Sequence, residues 1–346
     1  MQTENKYFAS ANTEKGFVSY YEEIYGGLDM VYVIKGGPGT GKSRLMREIA
    51  DGAEAKGISV EYFYCSSDPL SLDGIILTEL RTAVIDGTAP HTYDPKIPGV
   101  KDKIINLGEN WDEGILRKNA EEICSITKEK SGLYCNVYNY LAAAGRVDSE
   151  IRMYNRRAVL FEKMQGAVDR LSKGWKNGKG FKKVIRPVEG ISHAGHIVYG
   201  TYHNFSKNKY VIRDRYGVGN IFTEMLMKTA EKKGLLTLYS PSFLDNSRIT
   251  AICFPELGSS FVIDVEDGAD KRIINMDRFV DLDIIRKNKQ KNRFAVRCLS
   301  SLYEGVQKNL DEIYELHSSL ENHYISAMDF SKNDEIARSL KKEIFG

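Results

Sequence analysis

The chain has 346 residues, 42% of them hydrophobic and 28% charged, with a formal net charge of +2. That is ordinary globular composition, and it does not mark the whole molecule as a binder of nucleic acid or of an acidic surface. No apolar run approaches the ~20 residues of a membrane span, the start MQTENKYFAS lacks the apolar stretch of a signal peptide, and the five scattered cysteines suit free thiols in a reducing cytosol. A cytoplasmic protein without a membrane partner, built from two domains, is expected.

The first patterned stretch is the apolar run 31–35, which ends in GGPGTGKS. Behind it Leu45, Met46, Ile49 and Ala53 recur at helical spacing, and Gly57 offers a stop. Strand, glycine loop and helix in that order are the context in which G-x-x-x-x-G-K-[ST] predicts a phosphate-binding loop. Gly36, Gly37, Gly39 and Gly41 let the backbone turn its N–H groups inward, and the helix N-terminus adds partial positive charge. With Pro38, Thr40 and Arg44 these residues form the expected ATP contact set. Lys42 is expected to reach the β- and γ-phosphates, and Ser43 to ligate Mg²⁺.

Next, ISVEYFYC (58–65) reads as a strand that ends in SSDP, and 72–80 reads as a helix. AVID (83–86) reads as a short buried strand bringing Asp86 to the sheet edge, where a carboxylate is needed on the Mg²⁺ side of the phosphates. Asp68 is the rival ligand, and either residue also suits a plain turn. The proline-rich stretch GTAPHTYDPKIPG (87–99) holds His91, a candidate for orienting water or substrate, although a surface histidine explains it equally well.

The second half repeats the first. YVIRDRYGVGN (210–220) follows the pattern of YVIKGGPGTGK (32–42), AEKKG that of AEAKG, and Asp245 falls where Asp68 would. IINLGENWDEGILRKN (104–119) aligns without gaps to IINMDRFVDLDIIRKN (273–288), with eight of sixteen positions identical. The period, roughly 175 residues, is too long for a solenoid and predicts two similar α/β lobes. The second loop has lost its chemistry: Asn220 replaces Lys42, Ile221 replaces Ser43, and Asp214 replaces Gly36. Boundaries are expected at 1–175 for the first lobe with a helical extension and 184–346 for the second with C-terminal helices. KGWKNGKGFKK (173–183) is the expected linker. It and RKNKQKNRFAVR (286–297) are basic enough to touch a polyanion, but solvated faces are favoured over a nucleic-acid site. His193, His196 and His203 lack the further ligands a metal site needs.

On IKGGPGTGKS, YCSSDPLSLDG, VIDGTAPHTYDP and the two IIN…RKN segments, the sequence resembles a little-characterised bacterial family of tandem P-loop ATPases, nucleotide-kinase-like, across nearly the whole chain. The resemblance implies P-loop NTPase-like lobes and ATP binding at 36–43, with no substrate assigned. The fold expected is α/β, two tandem lobes of parallel sheet flanked by helices, with helical appendages. The function expected is Mg²⁺-dependent ATP hydrolysis coupled to a conformational change, resting on Lys42, Ser43 and Asp86. Arg213 and Arg215, or Arg286 and Lys287, of the second lobe are candidates to complete the site. One alternative is a small-molecule or nucleotide kinase, with Arg146, Arg152, Arg156 and Arg157 as a lid. The other is a non-catalytic ATP-dependent switch or scaffold acting on an unknown protein partner. No N-K-x-D stretch suggests GTP.

Overall fold

The computed structural model describes residues 4–90, 92–263 and 270–346. Its first half begins with β1 (Asn5–Phe8), the hairpin β2 (Ser10–Thr13) and β3 (Gly16–Ser19), and α1 (Tyr21–Tyr25). Then come β4 (Met30–Lys35), α2 (Lys42–Glu54), β5 (Val60–Tyr64), β6 (Leu72–Leu77), β7 (Thr82–Asp86) and β8 (Asp102–Asn106). A 3₁₀ turn (Leu107–Asn110), α3 (Glu113–Lys118), the long α4 (Ala120–Arg156) and α5 (Phe161–Ser172) complete that half. The second half runs through the same series. It has β9 (Lys182–Ile185), β10 (Glu189–Ser192), β11 (Gly195–Val198), α6 (Thr201–Asn204), β12 (Asn208–Arg213), α7 (Gly219–Lys233), β13 (Leu236–Pro241), β14 (Ile249–Phe254), β15 (Ser259–Ile263) and β16 (Lys271–Asn275). After 3₁₀ turns at Pro255–Leu257 and Met276–Phe279 come α8 (Leu282–Lys287), α9 (Lys289–Ala327) and α10 (Phe330–Phe345).

Each half forms a six-stranded sheet, in the orders β1-β5-β6-β7-β4-β8 and β9-β13-β14-β15-β12-β16, the same sequence of equivalents. The internal duplication is therefore structural along its whole length. The sheets are mixed rather than parallel: β6 runs antiparallel to both β5 and β7, and β14 to both β13 and β15. This corrects the helix expected over 72–80. LDGIIL is buried at every position, and a short apolar run buried on both faces has the composition of either element. Adjacent Ile75 and Ile76 favour the strand. Gly74 is required there, because a Cβ would lie 2.3 Å from the Tyr25 hydroxyl.

One hydrophobic cluster spans both sheets, joining Tyr7, Val33, Phe63 and Ile85 of the first half to Ile185, Val188, Tyr202 and Cys253 of the second. The part-buried pair Arg186–Glu61 (2.8 Å) links the halves beside it. Across the molecule, α4 and α9 lie antiparallel: Lys130 meets His317, Asn136 meets Asn309 and Asn155 meets Asn292. Each long helix carries the helix that follows it over to the opposite half. Ala337 and Leu340 of α10 join the core against Leu45, Met46 and Ile49 of α2. Met164 and Val168 of α5 join Phe222 and Leu226 of α7. The two crossings are matched: Trp111 pairs with Met328 and Val280 with Val159. The segment 173–183 is pinned to the second half, where Trp175 packs on Phe254 and Gly180 N–H donates to Gly234 O. Among the described residues no helix is long and apolar enough to cross a membrane.

Candidate functional site

Strand β4, between β7 and β8, releases the chain into the glycine loop 36–43, at the carboxyl edge where ligands of open α/β sheets sit. Gly39 (φ +68°) and Gly41 (φ +84°) adopt the left-handed conformation that turns the backbone into α2. The Lys42 side chain folds back over the loop. Its Nζ donates to Gly37 O (2.7 Å) and Gly36 O (3.2 Å) and lies 3.5 Å from Asp86 Oδ2. Strand β7, beside β4, brings Asp86 there, and the other carboxylate oxygen accepts from Thr88 N–H (2.8 Å). Thr88 and Thr40 hydroxyls brace the loop by donating to Gly36 O and Gly37 O, both at 2.8 Å. Ser43 Oγ accepts from Leu72 N–H (3.1 Å) at the head of α2.

The structure thus brings Lys42, Ser43 and Asp86 to one place. Asp68 stands further along the same edge, holding Leu70 N–H and Ser71 Oγ, with His193 Nε2 3.7 Å away. Arg44 turns outward to Glu48 and to Asp334 of α10. His91 lies outside the described residues, as does Asp264, the counterpart of Asp86. His193, His196 and His203 do not converge: they contact Asp68, Glu189 and Ser260 respectively. Arg286 pairs with Asp283 on an exposed helix face, as Arg117 pairs with Glu113 in the first half. The shared RKN triplet is therefore a helix feature rather than a source of catalytic cations. Arg146, Arg152 and Arg156 line a cavity between α4 and the second half and do not form a lid over Lys42.

Hard oxygen donors suit Mg²⁺, which takes one or two carboxylates or hydroxyls and fills the remaining positions with phosphate and water. Ser43 and Asp86, which lie together beside Lys42, fit that pattern, while Asp68 stands further along the edge beside His193. No cluster of three or more His, Cys, Asp or Glu side chains able to hold a metal exists among the described residues.

Several residues at the loop were not foreseen. Asn333 of α10 donates to Thr40 O (2.8 Å) and accepts from Asn110 (2.8 Å), so the exchanged helix fastens the loop. From α9, Tyr324 and the Glu321 backbone approach so closely that a Cβ on Gly37 or Gly39 would lie 2.7 Å from them. Burial raises the pKa of the Glu321 carboxyl. His317, 3.7 Å from Glu321 and 2.7 Å from Lys130, is pushed down to about 4 by burial first and by Lys130 second. Burial also lowers the Lys130 ammonium, against the pull of Glu321. Residues more than 270 positions from the loop carry no local sequence signal for this role. Only the helix exchange places them there.

At the second loop the Asp214 carboxylate fills the corresponding nest, accepting from Val218 N–H (2.9 Å) and Gly219 N–H (2.6 Å). Arg152, the α4 counterpart of Glu321, donates to Gly217 O (2.5 Å) and to Asp148 (2.8 Å). Between α4 and this loop lies a cavity of about 670 Å³; a small one of about 10 Å³ lies between α2 and α10 beside Gly41. Comparison with known protein families, curated proteins and solved structures gives no significant match.

Proposed function

We propose that the chain is a P-loop ATPase. On this reading it binds ATP with Mg²⁺ at Gly36–Ser43 and hydrolyses it to drive a change in the helices that cross between the halves. The second loop serves as a non-binding partner. The observation that carries the reading is the juxtaposition at the edge of the first sheet: a glycine loop at the head of α2, with Lys42 Nζ folded over it and 3.5 Å from Asp86. Backbone N–H groups at a helix N-terminus, an ammonium and a carboxylate are the parts that position and neutralise a triphosphate. Ser43 and Asp86 would hold Mg²⁺, which supplies charge neutralisation between the β- and γ-phosphates. Asp214 argues for one working site, since a carboxylate already occupies the anion position of the second loop. The resemblance to tandem P-loop ATPases belongs to this proposal.

Hydrolysis is favoured over transfer to an acceptor because the arginines suited to a kinase lid face the other half. The test is ADP and phosphate release by wild type and Lys42→Ala without any added acceptor. Steady release by wild type and loss of at least ~100-fold in the variant is expected, the removed group being one of the charges that stabilise phosphoryl transfer. Equal rates in both proteins would refute the site, and release only with an added hydroxyl or phosphate acceptor would make it a kinase.

A further inference from the structure

The cavity between α4 and the second half, about 670 Å³, is large enough for a small organic molecule. Four arginines line it: Arg146, Arg152 and Arg156 on α4, and Arg248 in the loop after β13. None of the four has a basic counterpart in the first half. In the register of the aligned segments 104–119 and 273–288, α9 carries Glu315, Glu321 and Ile325 at the three α4 positions. That register holds past the ends of both long helices, since the Trp111–Met328 and Val280–Val159 bridges match. Ser71 is the counterpart of Arg248: their N–H groups donate to Asp68 O and Asp245 O alike. The arginines are therefore no feature of the repeated fold. Gly145 also lines the cavity, where α9 carries Tyr314, which stacks on His193 at 3.9 Å. Space and arginines are thus gained together on one face of α4.

Two of the guanidinium groups are held in place. Asp148 accepts from Arg152 Nε (2.8 Å) and lies 2.7 Å from Arg248 Nη1, and Asp245 lies 2.9 Å from Arg248 Nε. The two carboxylates offset these two charges, but a guanidinium has five N–H donors, so each keeps some to spare. Arg156 lies over the Phe161 ring (5.5 Å) and pairs with no carboxylate among the described residues. Arg146 and Glu150, four residues apart on α4, offset one another. The remaining acid, Glu14, lies against Gly145, about 10 Å along α4 from Arg152. Positive charge is therefore concentrated at the end of the cavity next to the second loop. We propose that this cavity binds a small organic oxyanion, a phosphate ester or a polycarboxylate, through Arg152, Arg156 and Arg248. The planar fork of a guanidinium matches either group, and a fork already fixed by a carboxylate loses little freedom on binding. Met153, Val218 and Ile221 supply apolar wall for the body of the ligand. The loop nest takes no part, since Asp214 fills it. This site is separate from Lys42 and does not depend on the ATP reading above.

The experiment is calorimetric titration of ribose 5-phosphate and, separately, of citrate into wild type, Arg156→Gln, Ser149→Trp and Lys42→Ala. Arg156 and Ser149 are both exposed on α4, so neither change disturbs the core. Arg156→Gln removes one cation and should weaken binding about tenfold. Ser149→Trp keeps every charge and fills the space, so it should weaken binding at least as much. Lys42→Ala should leave the affinity unchanged. This pattern with ribose 5-phosphate assigns the cavity to phosphate esters, and the same pattern with citrate assigns it to polycarboxylates. Equal affinity in wild type and Arg156→Gln overturns the proposal, as does the absence of binding of both probes to wild type. Binding that is lost in Lys42→Ala but kept in Arg156→Gln and Ser149→Trp places the oxyanion at the first loop. That result overturns the cavity site and leaves the ATP reading standing.

Discussion

At the scale of single residues, one carboxylate distinguishes the second loop from the first. Asp214 satisfies buried N–H donors at the head of α7, so removing it leaves them without a partner. Asp214→Ala should cost about 1–3 kcal/mol, measured by urea unfolding, and Asp214→Asn less, since one acceptor remains. Equal stability of all three proteins would mean that the nest is held by other contacts. Histidines give a second residue-scale expectation. Burial pushes His203, and His317, down to about 4, and for His203 the nearby Lys271 and Lys209 add to burial while Asp270 opposes it. The unfolded chain therefore binds these protons near pH 6.5 and the folded one does not. Stability should be level above about pH 6.5 and fall as pH drops toward 4. Thermal midpoints should follow that window, and His203→Asn, which can still reach Ser260, should flatten part of the slope.

At the scale of elements, the glycine loops allow a controlled comparison. Gly39 and Gly217 share φ +68°, so an alanine at either meets the same backbone strain. At 217 the nearest atoms belong to the flexible Arg152 side chain, whereas at 39 they include the Glu321 carbonyl of α9 at 2.7 Å. Gly39→Ala should destabilise by about 1–3 kcal/mol more than Gly217→Ala, the cost of overpacking a fixed neighbour, as read by chemical denaturation. Matching values would mean that α9 does not rest on the loop in solution. Sequence pattern located this loop well because strand, glycines and helix are contiguous. It located Asp86 too, since β7 is a plain apolar run ending in an acid. It missed the direction and type of β6, where a doubly buried strand has no alternation to distinguish it from a helix. It also missed β1–β3, whose four-residue strands are too short to show a period. Asn333, Tyr324 and Glu321 were invisible because helix periodicity says which face is buried but not which half of the molecule it is buried against.

At the scale of the whole molecule, neither half is closed by its own helices. The outer face of α2 is covered by α10, that of α7 by α5, and the crossings at Trp111–Met328 and Val159–Val280 match each other. A surface left open by one copy and filled by its twin is the geometry of an isologous dimer. The long polypeptide therefore behaves as a pair of exchanged subunits tied end to end, and the tether is what permits the pair to be unequal. Residues 1–180 made alone should assemble into a twofold dimer, each α5 seated on the other copy's α2. Light scattering would give twice the half-chain mass, and a monomer would rule this out. In that symmetric particle both loops would carry Lys42, and the side chain over each would be Arg152 instead of Glu321. Joining the copies thus let one crossing helix keep an arginine and the other acquire an acid, a divergence that identical subunits cannot make.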